Sequence, residues 1–300
     1  MKKPFILSAD HLLSVIGSYL ILFVMLFPVS ACASENNFSF TPLENHLIND
    51  KEEKFTQEQI NRIFHHPAVS FDTKGVSSYF QHQESKLNYG QFLNDENIGK
   101  AKAYIAKNQD SLAKAEKVYG VDKEVITAIM LVETRLGTYI GNRSVLNILA
   151  TMALLDDKAT RDRFWDVIPP ENRISRAEYE KKAIQKSKWA YKELKAFLKY
   201  IEKEGMEPYD IIGSYAGAMG FAQFMPSNIL WLGEDGNQDG SVNLFHHEDA
   251  IASIANYLKH YGWKRGLSRE QAYKVVYHYN HSKYYVNTVL DIADKIKSGA

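Results

Sequence analysis

Residues 120–137 read GVDKEVITAIMLVETRLG, and this stretch indicates how the chain folds. Four of its side chains fall at positions i, i+3, i+4 and i+7 and therefore share one face of a helix: Ile126, Ile129, Met130 and Glu133. Asp122 suits the start of such a helix and Gly137 suits its end. The stretch predicts a buried helix that carries one carboxylate on its apolar face.

The carboxylate of Glu133 takes a place that the pattern gives to a hydrophobic residue. Burial disfavours the charged form of a carboxylate, and the negative end of the helix dipole adds to that effect, so we expect the pKa of Glu133 to be raised. A general acid that works near neutral pH needs such a pKa. The alternative is a structural glutamate that pairs with Arg135 or Arg143.

The chain beyond this stretch also has a helical pattern. Ser175–Glu178 and Ser268–Gln271 have the spacing of capping boxes, and Gly205 and Gly262 stand where helices would end. Runs of alternating apolar and polar residues with hairpin signals are absent from the sequence. We therefore predict an all-α protein.

The composition excludes some classes of partner. The 300 residues include 36 basic and 36 acidic side chains, and 45% of all residues are hydrophobic. This is the composition of one large or two smaller globular domains. A net charge of zero gives no reason to expect a nucleic acid as partner. We expect a monomer.

The first 31 residues have the features of an export signal. Lys2 and Lys3 precede an apolar stretch over residues 12–27, and small residues follow. Cys32 comes after Val-Ser-Ala, as in a bacterial lipobox, so we predict a lipoprotein signal peptide over 1–31 and a lipid on Cys32. The alternatives are a plain signal peptide cut after Ala33 or an uncleaved anchor helix.

The remainder of the chain divides at residue 57. Residues 32–57 are polar and aperiodic, which predicts a flexible tether, and residues 58–300 form the predicted domain. Cys32 is the single cysteine of the chain, so an intrachain disulfide is excluded.

Small residues dominate the start of GSYAGAMGFAQFMPS, residues 213–227. A flexible linker would not continue into Gln-Phe-Met-Pro, and a phosphate-binding loop would need the lysine of a GK[ST] sequence. We interpret the stretch as the floor of a cleft, where missing side chains let the backbone approach a ligand.

Several motifs together resemble the membrane-bound lytic murein transglycosylase B family, glycoside hydrolase family 103. They are ETRLG at 133–137, GSYAGAMG at 213–220, QFMPS at 223–227, DAIASIANY at 249–257, YGW at 261–263 and YNHS at 279–282 with Tyr285. The resemblance covers roughly residues 110–297.

The resemblance implies a lysozyme-like α core with a helical extension. Such enzymes cleave the bond between MurNAc and GlcNAc in peptidoglycan and leave 1,6-anhydromuramyl ends, and one glutamate performs both proton transfers. Glycosidases in general use two carboxylates. The alternatives are a muramidase of the same fold, which hydrolyses the bond, and a noncatalytic murein-binding lipoprotein.

The resemblance also implies roles for individual residues. Glu133 would be the acid and base, and the expected sugar-binding and groove-lining residues are Ser214, Gln223, Tyr257, Asn280, Tyr285 and Tyr89. The family places arginines after Ala-Thr-Leu, but the segment ATMALLDDKATRDRF is about two residues longer. Arg161 and Arg163 are therefore candidates for that place.

A second motif has the spacing of a calcium loop. Residues 235–243 read DGNQDGSVN, which matches the first three quarters of an EF-hand, but position 12 is His246. The expected ligands are Asp235, Asn237, Asp239, Ser241 and, closing the loop as in the resembled family, Asp249. The alternative is an Asx-rich turn. Calcium would be structural, and the chemistry needs no cofactor.

The leader and the resemblance together predict a location and a substrate. We expect a periplasmic protein held by its N-terminal lipid, at the outer membrane of a Gram-negative bacterium. Its partners would be that membrane and the glycan strands of peptidoglycan.

Overall fold

The computed structural model describes residues 38–81 and 87–298. Thirteen helices run through this part of the chain: α1 Thr41–Ile48, α2 Gln57–Phe64, α3 Thr73–Gln81, α4 Asp95–Lys107, α5 Gln109–Tyr119, α6 Lys123–Thr134, α7 Val145–Ala153, α8 Lys158–Val167, α9 Arg176–Glu204, α10 Pro226–Leu232, α11 His247–His260, α12 Arg269–Tyr279 and α13 Lys283–Ser298. The prediction of an all-α protein is confirmed.

Two very short strands accompany the helices. β1, Arg143–Ser144, pairs antiparallel with β2, Ile212–Gly213. Short 3₁₀ helices cover Tyr89–Leu93, Leu154–Asp156 and Pro170–Asn172. The pairing of β1 with β2 brings the segment after α6 against the segment that precedes the small-residue loop.

Helices α6 and α7 form the centre of the core. Ile126, Ile129 and Met130 on α6 are fully buried, and every residue of α7 is buried. The long helix α9 packs on α7, and α13 packs on α6. Burial of these apolar faces supplies most of the drive to fold, at about 25 cal/mol per Å² of apolar surface.

The predicted helix ends are largely present. Ser175 and Ser268 cap α9 and α12, and Gly205 ends α9 in the left-handed conformation. Asp122 occupies the cap position of α6, but its carboxylate instead accepts hydrogen bonds from Trp263 Nε1 and Lys297 Nζ, each at 3.2 Å. Asp122 therefore ties the start of α6 to the C-terminal helices.

The structure corrects the predicted tether of residues 32–57 over the part that it describes, residues 38–57. Helix α1 lies within that range, and its Leu43 and Leu47 are buried in the core. Asp50 accepts hydrogen bonds from Tyr191 and pairs with Lys195 at 3.0 Å. Burial alone would raise the pKa of Asp50, but the backbone N–H of Glu53 and these side chains hold it well below its usual range. The tether prediction was wrong because most residues of this segment are polar, and its two core leucines were therefore not recognised.

The signal peptide over 1–31 and the lipid on Cys32 lie outside the described residues. Within 38–81 and 87–298, no helix combines the length and the apolar composition needed to cross a membrane.

Gly141 marks the tightest contact between the two segments joined by β1 and β2. Its φ is +96°, and a Cβ at this position would lie 2.0 Å from the carbonyl oxygen of Gly213. Gly213 is confined as well, because its own Cβ would lie 2.2 Å from the carbonyl oxygen of Ala218. Backbone packs on backbone here, which only glycine permits.

We predict that Gly141→Ala destabilises the protein by about 2–3 kcal/mol, because the added methyl group clashes with backbone and the residue keeps a strained φ. Gly99→Ala on α4 is the matched control, since a Cβ there meets nothing within 4 Å. The control is expected to be neutral or stabilising by about 0.5–1 kcal/mol. Urea unfolding of both variants measures the difference, and equal midpoints would contradict the prediction.

Candidate active site

A cleft of about 510 Å³ lies beside the end of α6. Its described lining comes from three parts of the chain: Ser78, Leu87 and Phe92; Val132, Glu133, Arg135 and residues 139–143; and Gly213, Ser214, Tyr215 and Gln223. The two segments that the sequence singled out, around Glu133 and around the small residues, therefore face one another across the cleft.

Glu133 is placed by the end of α6. It stands in the last turn of the helix and is half-buried. Arg135 and Leu136 follow in the left-handed conformation, with φ of 50° and 62°. The Thr134 hydroxyl donates to the carbonyl of Phe221 at 3.0 Å. This turn ends the helix at the cleft and leaves the carboxylate at its wall.

Tyr285 holds the carboxylate from the other side. Its hydroxyl donates a hydrogen bond of 2.6 Å to Glu133 Oε1. Burial, and then the neighbouring Glu133, raise the pKa of the Tyr285 phenol well above its ordinary value. The phenol therefore stays protonated and serves as a fixed donor to the carboxylate.

Two further tyrosines support Tyr285. The ring of Tyr279 stacks on it with centroids 6.3 Å apart, and the Tyr279 hydroxyl donates to the carbonyl of Ala222 at 2.6 Å. The ring of Tyr89 meets Tyr285 edge-on, also at 6.3 Å. The packing of these rings fixes the direction of the phenol that holds Glu133.

Ser214 and Gln223 both line the cleft, as the sequence predicted. Ser214 Oγ accepts hydrogen bonds from the N–H groups of Ala216 and Ala218 at 3.2 and 3.1 Å. Gln223 has a φ of 49°, and its Nε2 donates to the carbonyls of Ile140 and Gly220. These hydrogen bonds orient both side chains. Each side chain keeps one polar group for a ligand, which is the hydroxyl hydrogen of Ser214 and the amide oxygen of Gln223.

The structure corrects two of the predicted groove residues. Tyr257 is 5% exposed, and its hydroxyl donates to the carbonyl of His278. Arg161 is buried, and its Nη1 donates to the carbonyls of Leu155 and Asp156. Both side chains stabilise turns of the core. The motif spacing placed them near the site but could not give their direction.

Four other predicted residues lie outside the described cleft lining. Two of them, Tyr285, which is 1% exposed, and Tyr89, pack on each other beside Glu133. Asn280 is the C-terminal cap of α12, and Arg163 is exposed on α8. Their assignment to sugar or peptide binding stays a prediction.

The sequence reasoning missed several cleft residues. Tyr139 is 60% exposed, and Arg135 lies 6.0 Å from the ring of Phe92. Arg143 pairs with Asp72 at 3.1 Å. The available signal was the arginine inside ETRLG, Arg135, followed by Tyr139 and Arg143, since exposed aromatics at a cleft suit sugar rings.

The candidate calcium loop is formed as a closed turn. Asp235 accepts hydrogen bonds from the N–H groups of Gln238, Asp239 and Gly240. Asn237 Nδ2 lies 2.9 Å from Asp239 Oδ2. Three oxygen-bearing side chains therefore converge, although no cluster of three or more His, Cys, Asp or Glu was found among the residues described here.

The other two expected ligands have protein partners. Asp249 is buried and accepts from the N–H groups of Gly236, Asn237 and Asn243. Burial raises its pKa despite those donors. The Ser241 hydroxyl donates to Glu204 at 2.8 Å, which leaves its backbone carbonyl for the position-7 ligand of an EF-hand.

Comparison with known proteins identifies the family. Residues 44–272 match the model of the transglycosylase SLT domain. Membrane-bound lytic murein transglycosylase B of Escherichia coli (strain K12) is 35% identical over 176 residues, which are 59% of this chain and 41% of that protein. The match thus spans less than half the length of this relative.

Solved structures share the fold. The soluble lytic transglycosylase SltB1 of Pseudomonas aeruginosa is 24% identical, with a TM-score of 0.69 over 87% of this chain and 99% of its own. SltB3 of the same organism, in complex with NAG-NAM-pentapeptide, is 21% identical, with a TM-score of 0.68 over 87% and 80%. Escherichia coli Slt35, in complex with calcium, is 21% identical, with a TM-score of 0.67 over 87% and 93%.

These matches confirm the lysozyme-like transglycosylase fold and the resemblance that the motifs indicated. The chain belongs to the transglycosylase SLT domain family.

Proposed function

We propose that the protein is a peptidoglycan lytic transglycosylase that cleaves the MurNAc-β-1,4-GlcNAc bond and forms 1,6-anhydromuramyl ends. One observation carries the proposal. Glu133 is the one carboxylate among the described residues that line the cleft. Hydrolysis by a glycosidase ordinarily uses a second carboxylate, as nucleophile or as the base that activates water. A single carboxylate suits a reaction in which the substrate supplies its own nucleophile.

The proposed reaction has two proton transfers, and Glu133 takes part in both. Protonated Glu133 gives its proton to the glycosidic oxygen as the bond from that oxygen to C1 of MurNAc breaks. The resulting carboxylate then takes the proton of the C6 hydroxyl as O6 bonds to C1. Glu133 is thereby returned to its protonated form, and no water is consumed.

Three further residues have supporting roles in this proposal. The Tyr285 hydroxyl holds Glu133 Oε1 at 2.6 Å and stabilises the carboxylate between the two steps. Ser214 and Gln223 contact the sugar from the loop opposite. The names of the relatives agree with this activity, since they are lytic transglycosylases, and one structure of SltB3 contains NAG-anhNAM-pentapeptide.

We predict that Glu133→Gln lowers the release of muropeptides from purified murein by about 10³-fold, because the amide can neither give nor take the proton. Mass spectrometry of the products is the measurement. Anhydromuramyl ends from the wild type support the proposal. Reducing muramic acid ends would identify a muramidase. Equal digestion by the variant would remove Glu133 as the catalytic residue, and no digestion by the wild type would indicate a murein-binding protein without catalysis.

Tyr285→Phe tests the fixed donor. We predict a kcat lowered about tenfold with a KM within about twofold, because the lost hydrogen bond positions the acid rather than the sugar. Tyr279→Phe is the control, since it removes a hydroxyl from the stacked neighbour that bonds to Ala222. The proposal for Tyr285 fails if both variants lose the same activity, or if the loss appears in KM alone.

A structural calcium ion also belongs to this proposal. Asp235, Asn237 and Asp239 would hold it with the carbonyl of Ser241, and oxygen donors suit calcium. The ion would brace the loop between α10 and α11. Asp249 would support the loop backbone through its three N–H partners, or exchange one of them to reach the ion.

We predict that calcium at 100-fold excess over its Kd stabilises the protein by about 2.7 kcal/mol, which raises the Tm by about 5 °C or more. A chelator reverses the shift. Asp239→Ala abolishes it, whereas Lys181→Gln on α9 leaves it unchanged. A melting curve that is indifferent to calcium and chelator would remove the ion from the proposal.

The proposed location is the periplasmic face of an outer membrane, with a lipid on Cys32 as anchor. The leader sequence supports it, and the relative in Escherichia coli is named as membrane-bound.

A further inference from the structure

A strip of aromatic rings lies on the surface where α10, α11 and α12 end. Trp231 on α10 is 59% exposed, and His260 on α11 and His278 on α12 are exposed as well. Tyr261, directly after α11, is half-buried and contacts both histidines. None of these four residues, the aromatic strip, is among the described residues that line the cleft. The strip is therefore a surface separate from the cleft.

The rings of the aromatic strip are in consecutive contact. Trp231 meets His260 edge-on with centroids 4.4 Å apart, and His260 meets Tyr261 edge-on at 4.9 Å. Tyr261 and His278 are stacked, with centroids 4.3 Å apart and planes 13° from parallel. Each ring limits the rotation of the next, so the exposed indole of Trp231 is held in one orientation.

The aromatic strip is built on the part of the core that carries the acid. The ring of Tyr261 lies 4.8 Å from that of Tyr257, and Tyr257 lies 5.0 Å from Tyr279. Tyr279 stacks on Tyr285, whose hydroxyl donates to Glu133. An unbroken series of ring contacts therefore joins the strip to the residue that holds the catalytic carboxylate.

The chemistry of the aromatic strip favours a sugar as its ligand. A pyranose ring has a face of C–H groups that packs on an indole, and its hydroxyls project from the edge, where the ring nitrogens of His260 and His278 can exchange hydrogen bonds with them. The strip contains no carboxylate, ammonium or guanidinium group with which to bind a charged headgroup or peptide. Leu230, 38% exposed, adds an aliphatic edge beside Trp231.

We propose that the aromatic strip is a second glycan-binding surface, on which a sugar ring of murein packs against Trp231. The proposal rests on the proposed function, because murein is a polymer that offers sugar rings to the strip and to the cleft at the same time. Two sites on one polymer raise the effective concentration of each for the other. The strip would thus retain the enzyme on insoluble murein without taking part in the reaction.

Cosedimentation with purified murein sacculi tests the proposal, with Glu133→Gln in every protein so that the sacculi stay intact. Trp231→Ala is expected to weaken binding about tenfold, as the loss of one stacked ring allows. Trp231→Phe keeps most of the binding, because a flat ring remains. Leu230→Ala is the matched control on the same helix. It removes exposed apolar surface without a ring, so we expect its binding to stay within about twofold of that of the parent protein.

Two further measurements separate the strip from the cleft. With Glu133 intact, Trp231→Ala should lower the ratio of the rate on sacculi to the rate on a soluble GlcNAc-MurNAc tetrasaccharide by about tenfold, because the small substrate needs only the cleft. Oligomers of GlcNAc should shield an indole from quenching by iodide in the wild type. The same oligomers should leave quenching unchanged in Trp231→Phe.

Four results would overturn the proposal. They are full binding of sacculi by Trp231→Ala, an equal loss of binding in Leu230→Ala, an equal fall of the rates on sacculi and tetrasaccharide, and binding of phosphatidylethanolamine and phosphatidylglycerol vesicles that Trp231→Ala abolishes. The last result would assign the strip to a membrane. The iodide measurement needs no cleavage, so it tests the strip even if Glu133→Gln digests murein and the catalytic assignment fails.

Discussion

The hydrogen bond from the Tyr285 hydroxyl to Glu133 Oε1 is the contact on which the site depends. It joins residues 152 positions apart, at the end of α6 and the start of α13. The two helices pack on each other, and each carries fully buried apolar residues, such as Ile126 and Val286. A hydrogen bond of 2.6 Å tolerates little displacement, so the packing of this core sets the direction of the carboxylate.

The loop opposite Glu133 is held by backbone contacts in the wall of the cleft. Gly141 and Gly213 bring two backbones together where a Cβ would lie about 2 Å from a carbonyl oxygen. The small residues of 213–227 were interpreted as space for a ligand, whereas at Gly213 the space is taken by protein. The function of Gly141 and Gly213 is therefore to place the loop, with Ser214 and Gln223 on it, at a fixed distance from Glu133.

Much of the fold follows from the sequence, because helical periodicity, caps and stop glycines are local signals. Glu133 could be identified as a candidate catalytic residue for the same reason, because it is the one carboxylate on an apolar helix face. The directions of Arg161 and Tyr257 were not evident, since tertiary packing turns these side chains toward carbonyls of the core. The folded state of residues 40–57 was missed because Leu43 and Leu47 stand among polar residues, and because the partners of Asp50, Tyr191 and Lys195, lie far along the chain.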